Sequence, residues 1–308
     1  MVISNTELEV LRECKYNKYD IGLVSDQAYM SVVLTNKCNR NCFYCINSQT
    51  DKTLELDIFP AFVKIKNCVQ KYGIKEVVIL GGEPLLHPKL LGFISMLKTL
   101  GLRKIGLTTN GDFLNQGMII DLARTGIDFI NISIDNFSVR KLSEYKEFYT
   151  LFKKFNENLK VRVNTNIYRG NHDKLFNLLT FLTDLHDCCD EIRVSNLIFK
   201  DSFSVNNINS REAVDKIMSD EEYIRLFNDI QEYYEWRGFP VIINKKALGF
   251  VEYAAIMTTP IIILNKNIDS DVSKQVCEND IEEKKIHTFK CLVSGDISLS
   301  WNTNNIIM

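Results

Sequence analysis

The sequence feature that constrains the fold most is a regular alternation of short apolar runs with longer amphipathic segments. Six runs rich in apolar and β-branched residues have strand character, and segments with helical periodicity separate most of them. The runs occupy residues 29–35, 76–80, 104–109, 129–135, 161–168 and 191–199. Strand–helix alternation at this spacing predicts right-handed parallel βαβ units, and therefore an α/β fold.

Three cysteines follow the first run. Cys38, Cys42 and Cys45 have the spacing Cys-x3-Cys-x2-Cys, and a loop this short lets the three thiols converge on one centre. Thiolates favour soft metals, chiefly iron–sulfur clusters and zinc. A structural zinc site usually has a fourth Cys or His close by, and residues 46–50 contain neither. Three ligands leave one iron of a four-iron cluster open to a small molecule.

The second apolar run ends in Gly81-Gly82-Glu83-Pro84. This motif, together with the cysteine loop after the first run, resembles the radical SAM superfamily. The resemblance implies a partial (β/α)6 TIM-like barrel of parallel strands with a C-terminal extension. It also implies two cofactors, a [4Fe–4S] cluster held by Cys38, Cys42 and Cys45, and S-adenosylmethionine (SAM) bound to the open iron.

The same resemblance implies a reaction. An electron from the reduced cluster cleaves SAM to methionine and a 5′-deoxyadenosyl radical, which abstracts hydrogen from the substrate. Gly81, Gly82 and Glu83 are expected to hold the SAM amino group, because glycine allows close backbone approach and a carboxylate complements an ammonium. Tyr44, the aromatic residue before the third cysteine, is expected near the adenine.

Polar residues alternate with apolar ones along the fourth and fifth runs, so that each strand has one polar face. Parallel barrels place their active sites at the carboxyl ends of the strands. The further candidates for SAM binding at these ends are Asn110, Ser133, Asp135 and Asn166. Each of them could instead satisfy backbone groups of a neighbouring loop.

Outside the barrel core, predicted for residues 28–200, lie an N-terminal extension, 1–27, and a C-terminal extension, 201–308. We expect the second to close the barrel and to shape the substrate site. Its pattern predicts a helix that starts with a capping box at 219–222 and a hairpin turn at 295–296. Cys277 and Cys291 are the only cysteines beyond residue 200, too few for an additional cluster. Each is either an inert buried thiol or a hydrogen donor to a substrate radical.

Composition narrows the function classes. The formal net charge is −2 over 308 residues, so nothing indicates a nucleic-acid partner or an anionic membrane. The start has no signal-peptide pattern, and the longest apolar stretch, 254–264, is too short to span a bilayer. Nine cysteines without a paired framework indicate a reducing, cytoplasmic compartment.

We therefore predict a cytoplasmic radical SAM enzyme. Its expected partners are a small-molecule substrate, such as a sugar, nucleotide or amino acid derivative, and an electron donor such as flavodoxin or ferredoxin. One alternative is a peptide (RiPP) maturase whose leader recognition is provided by another protein. Another is an iron–sulfur or zinc-binding module without SAM chemistry, which the Gly-Gly-Glu-Pro motif argues against.

Overall fold

The computed structural model describes residues 24–45, 50–135, 139–197, 215–245, 252–266, 286–298 and 308. In these ranges the chain forms one sheet of 11 strands. The strands are β1 (Val24–Thr35), β2 (Glu76–Gly81), β3 (Lys104–Thr109), β4 (Phe129–Ser133), β5 (Lys160–Ile167), β6 (Glu191–Asn196), β7 (Val241–Lys245), β8 (Glu252–Ile256), β9 (Ile261–Lys266), β10 (Ile286–Cys291) and β11 (Ile297–Ser298). The α-helices described are α1 (Ile58–Tyr72), α2 (Leu90–Lys98), α3 (Gln116–Arg124), α4 (Val139–Phe155), α5 (Leu175–Asp184) and α6 (Asp220–Trp236).

Strands β1 to β6 lie side by side in chain order and pair in parallel. The predicted α/β fold with six parallel strands is thereby confirmed. In the part of the chain that the structure describes, the strand order runs from β11 to β7 without a pairing that joins these two edges. The sheet is therefore an open, partial barrel.

The C-terminal extension continues this sheet at both edges. Strand β9 pairs in parallel with β6, and β10 pairs in parallel with β1. Antiparallel strands β7 and β8 extend the β9 edge, and β11 extends the β10 edge. The proposed boundaries at residues 27 and 200 stay predictions, and residues 1–23 lie outside the described ranges.

Local sequence signals explain where the helices end. Helix α1 stops at Gly73, which has a left-handed φ of 66° and donates its N–H to the carbonyl of Val69 at 2.9 Å, as glycine at this position commonly does. Helix α6 starts with the predicted capping box between Ser219 and Glu222. No helix among the described residues is long and apolar enough to cross a membrane.

Strand alternation places the core and the polar interior on opposite sides of the sheet. In β5 the buried residues Val161, Val163 and Ile167 belong to the hydrophobic core. The residues between them, Arg162 and Asn164, are half-buried. Since the core is shared with the helices, the polar face of the strands is directed to the inside of the partial barrel.

Candidate active site

The cysteine loop begins three residues after β1. Cys38, Cys42 and Cys45 are half-buried free thiols. The loop turns tightly, since the N–H of Cys45 donates to the carbonyl of Cys42 at 3.1 Å. Burial is the largest cause that raises the pKa of Cys42, and the nearby Cys45 raises it further. Arg40 opposes this rise. The three side chains are thus close enough to interact electrostatically.

The chemistry of the donor set fits an iron–sulfur cluster. Each iron of a cluster takes its own thiolate, whereas a structural zinc ion needs four ligands that converge on one point. Cys38, Cys42 and Cys45 are three neighbouring, half-buried thiols, so each of them could bind one iron. Among the described residues no group of three or more His, Cys, Asp or Glu side chains is arranged to hold one metal ion.

The end of β2 is bonded directly to the start of the cysteine loop. The N–H of Gly82 donates to the carbonyl of Thr35, and that of Glu83 to the carbonyl of Lys37, both at 2.7 Å. A Cβ atom on Gly81, which has a φ of +150°, would lie 2.3 Å from the Thr35 oxygen, and one on Gly82 would lie 2.2 Å from the Lys37 oxygen. These glycines therefore allow a close approach of the chain to itself. Their predicted contact with SAM stays a prediction.

Glu83 has partners within the protein that the sequence did not indicate. The side chain is fully buried; Oε1 accepts from Leu85 N at 3.0 Å and from Thr109 Oγ1 at 2.7 Å, and Oε2 accepts from Asn110 N at 2.7 Å. Burial raises the pKa of Glu83, and these hydrogen bonds oppose the rise. The carboxylate joins the ends of β2 and β3, and its binding of the SAM amino group stays a prediction.

Asn110 connects the end of β3 to the first cysteine. Its Nδ2 donates to Asn39 Oδ1 at 2.8 Å and lies 4.0 Å from Cys38 Sγ. Its Oδ1 accepts from Asp112 N at 2.9 Å. The side-chain amide therefore holds the cysteine loop in place, whether or not it also contacts SAM.

Tyr44 of the cysteine loop and Asp135, two residues after β4, lie together. The Tyr44 hydroxyl donates to Asp135 Oδ2, and Asp135 Oδ1 accepts from the N–H of Asn166 at 2.8 Å. Burial raises the pKa of Asp135 to about 6, against the effects of the Asn166 N–H and of Arg40. The structure thus brings three predicted residues together, and His172 Nε2 lies 2.9 Å from the Asp135 carbonyl oxygen.

Polar side chains line the inside of the barrel below this group. Ser133 and Asn164 are register partners on β4 and β5, and Asn131 Nδ2 donates to Thr108 Oγ1 at 3.1 Å. The Oδ1 atoms of Asn131 and Asn164 are buried and have no hydrogen-bond partner among the described residues. Buried acceptors of this kind normally have a donor, which is either another protein group or an ordered water molecule.

The structure describes one of the two candidate hydrogen donors. Cys277 lies outside the described residues. Cys291 is fully buried in β10, where burial raises its pKa to about 12 and its charged or thiol neighbours include Lys64 and Cys68 of α1. Because it lies against the helix layer, its placement favours the inert buried thiol over the hydrogen donor.

Sequence reasoning missed several residues that the structure adds to the site. Phe43 and Tyr168 pack edge to face with ring centroids 5.0 Å apart, and both contact Tyr44. Asp112, which follows β3, pairs with Arg40 inside the cysteine loop at 2.7 Å. The sequence contained a signal for this ion pair, because Arg40 is a charged residue between two proposed cluster ligands, Cys38 and Cys42.

Comparison with known proteins decides the family. A sequence model of the Radical SAM superfamily matches residues 32–182, a range that contains the cysteine loop and strands β2 to β5. The chain belongs to the radical SAM superfamily. It is therefore an enzyme, and the cofactors of the superfamily, SAM and a [4Fe–4S] cluster, are those that the two motifs predicted.

Relatives with established names share part of the sequence. GTP 3′,8-cyclase of Clostridium perfringens (strain 13 / Type A) is 27% identical over 247 residues, which cover 72% of each chain. Molybdenum cofactor biosynthesis protein 1 of Homo sapiens is 33% identical over 162 residues, or 48% of this chain and 25% of that protein.

Solved structures with the same fold include SuiB of Streptococcus suis bound to its precursor peptide SuiA. The TM-score is 0.62 at 14% identity, and the match covers 96% of this chain and 63% of the SuiB chain. This chain thus spans slightly less than two thirds of SuiB. A likeness at this identity shows the fold alone, and it agrees with the partial barrel described above.

Proposed function

We propose that this radical SAM enzyme abstracts hydrogen from a small molecule, such as a sugar, a nucleotide or an amino acid derivative. The GTP 3′,8-cyclase relatives support the nucleotide class. The observation that carries the proposal is the attachment of the three-thiol loop to the glycine end of β2, beside a polar barrel interior.

Each group of residues has a proposed task. Cys38, Cys42 and Cys45 would hold the cluster, and SAM bound there supplies a 5′-deoxyadenosyl radical when the cluster is reduced. The Tyr44 ring, fixed by its hydrogen bond to Asp135, would present a flat surface to the adenine. Reduction needs a one-electron donor, for which we propose a flavodoxin or ferredoxin.

The arginines inside the barrel lie away from this site. Arg162 and Arg193 lie in the amino-terminal halves of β5 and β6, and both pair with Glu191, at 3.4 Å and 2.5 Å. Parallel barrels place their sites at the carboxyl ends of the strands, so these ion pairs join neighbouring strands at the opposite end of the barrel.

The test is anaerobic reconstitution with iron and sulfide, reduction with dithionite in the presence of SAM, and measurement of 5′-deoxyadenosine. We expect the wild-type protein to form it and Cys42→Ser to lose both the cluster absorbance and the product. Cys188→Ser is the matched control, because Cys188 is a buried thiol that lies before β6. An intact cluster that yields no 5′-deoxyadenosine would support a binding module instead.

A further inference from the structure

Asp112 receives four hydrogen bonds from three side chains. Arg40 donates from Nε to Oδ2 and from Nη2 to Oδ1, both at 2.7 Å. Asn39 Nδ2 donates to Oδ2 at 2.9 Å, and Lys141 Nζ donates to Oδ1 at 3.0 Å. Two of these donors, Asn39 and Arg40, belong to the segment between the first and second cysteines. One carboxylate therefore holds that segment to the loop after β3.

Further bonds make this connection rigid. Arg40 Nη2 also donates to the carbonyl of Asn110 at 2.9 Å. The backbone N–H of Arg40 donates to Cys38 Sγ at 3.4 Å. Asn110 in turn donates to Asn39. The guanidinium is thus fixed in position and orientation by partners on the opposite loop, and its own backbone contacts the first sulfur.

This network differs from an ordinary surface ion pair. Isolated exposed pairs contribute little, because solvent screens them and two flexible side chains must be ordered. The Arg40–Asp112 pair is bidentate and has side-chain exposures of 32% and 23%. The pair Lys146–Asp187 has one contact at 3.3 Å and exposures of 43% and 64%. Only the first has the geometry that fixes a loop.

We propose that Asp112 is a positioning residue for the [4Fe–4S] cluster, acting through Arg40 and Asn39. It would hold residues 39–40 in one conformation, so that Cys38 and Cys42 keep their spacing before iron binds. Its negative charge would also offset the charges of Arg40 and Lys141 next to the cluster. The inference rests on the proposed function, since it takes the three cysteines as ligands.

The experiment compares Asp112→Asn, Arg40→Lys and Asp187→Asn with the wild type after anaerobic reconstitution. The rate of iron loss to a ferrous chelator and the midpoint potential of the cluster are measured, and circular dichroism checks the fold. We expect Asp112→Asn to lose iron on the order of ten to a hundred times faster, as for other groups that orient metal ligands. Its potential should rise, because the loss of an anion favours the more negative reduced cluster.

The other variants separate position from charge. Arg40→Lys keeps the positive charge but loses the bidentate contact, so it should lose iron faster without the rise in potential. Asp187→Asn removes an equal charge elsewhere and should match the wild type in both measurements. A wild-type rate of iron loss in Asp112→Asn overturns the inference. If Asp112→Asn does not fold, a wild-type rate in Arg40→Lys overturns it.

A failure of the proposed function would give a different experimental result from a failure of this inference. If the wild-type protein takes up no cluster, the proposed ligands are wrong and this inference is overturned with them. If the wild type holds a cluster and both loop variants hold it equally well, the ligands stand and only the role of Asp112 is refuted.

Discussion

At the scale of single residues, the surroundings of Asp135 oppose its charge. The carboxyl group is largely buried, and its pKa is raised to about 6 in spite of the hydrogen bond from the Asn166 N–H. The folded state therefore binds this proton more tightly than the unfolded chain, for which the pKa is about 3.9. The resulting stability is fully present below that value and is lost as the pH rises through 6.

Asp135→Asn should remove this pH dependence. Between pH 4 and pH 7 the free energy of unfolding of the wild type should fall relative to that of the variant by on the order of 2 kcal/mol. Denaturant unfolding at four pH values in this range measures the difference. Asp187→Asn is the control, since the pKa of Asp187 is lowered by His186 and Lys146. If the free energies of unfolding of the wild type and of Asp135→Asn changed in parallel with pH, the raised pKa of Asp135 would be refuted.

Residues with a local signature could be predicted from the sequence, and residues with distant partners could not. The three cysteines and Gly81-Gly82-Glu83 are recognisable by spacing alone. Asp112 and Arg40 are 72 positions apart, so nothing in either neighbourhood indicates the pair. The hydrogen bonds of Glu83 could not be predicted either, because a carboxylate at a strand end gives no sign that Thr109 and Asn110 donate to it.

At the scale of elements, the end of β2 and the end of β1 depend on glycine for their contact. Gly82→Ala would place a Cβ atom 2.2 Å from a backbone oxygen of Lys37, and a backbone neighbour cannot move as a flexible side chain can. We expect the free energy of unfolding to fall by about 3 kcal/mol or more, as for other substitutions that force overlap. Denaturant unfolding measures the loss.

Gly92→Ala is the matched control for this substitution. Gly92 lies inside α2, and a Cβ atom added there would have nothing within 4 Å beyond its own helix backbone and chain neighbours. Alanine is favoured over glycine by roughly 0.5–1 kcal/mol in a helix, so this variant should be slightly more stable than the wild type. Equal effects of the two substitutions would show that the close contact at Gly82 has no energetic importance.

As with the residues, strands with a local sequence pattern could be predicted, and pairings between distant strands could not. The six parallel strands have local patterns of apolar residues, and the structure places all six within a few residues of the predicted ranges. The pairing of β9 with β6 and of β10 with β1 has no local sequence signal, because it is a property of two distant segments. The position of the extension at both edges of the barrel therefore became visible only in the structure.

At the scale of the whole molecule, the C-terminal extension shares a core with the barrel. Phe289 of β10 is fully buried and stacks on Tyr72 of α1 with ring centroids 5.2 Å apart. Phe289→Ala should lower the free energy of unfolding by about 3–5 kcal/mol. Unfolding should remain a single transition by fluorescence and by circular dichroism, because both parts lose the same packing.

Phe176→Ala serves as the comparison, since this ring on α5 is 79% exposed. Its effect should stay within about 0.5 kcal/mol, as for most surface substitutions. Two separate transitions, of which Phe289→Ala shifts only one, would mean that the extension folds as an independent domain.

The pairing of β1 with β10 also has a consequence for synthesis on the ribosome. One edge of β1 meets β2 early, but the other edge waits for residues 286–291. At a translation rate of about 5–20 residues per second, that edge stays open for on the order of ten seconds or more. A nascent chain with an uncovered strand edge is exposed to wrong pairing with its neighbours, and this exposure of β1 ends only when β10 has emerged and paired.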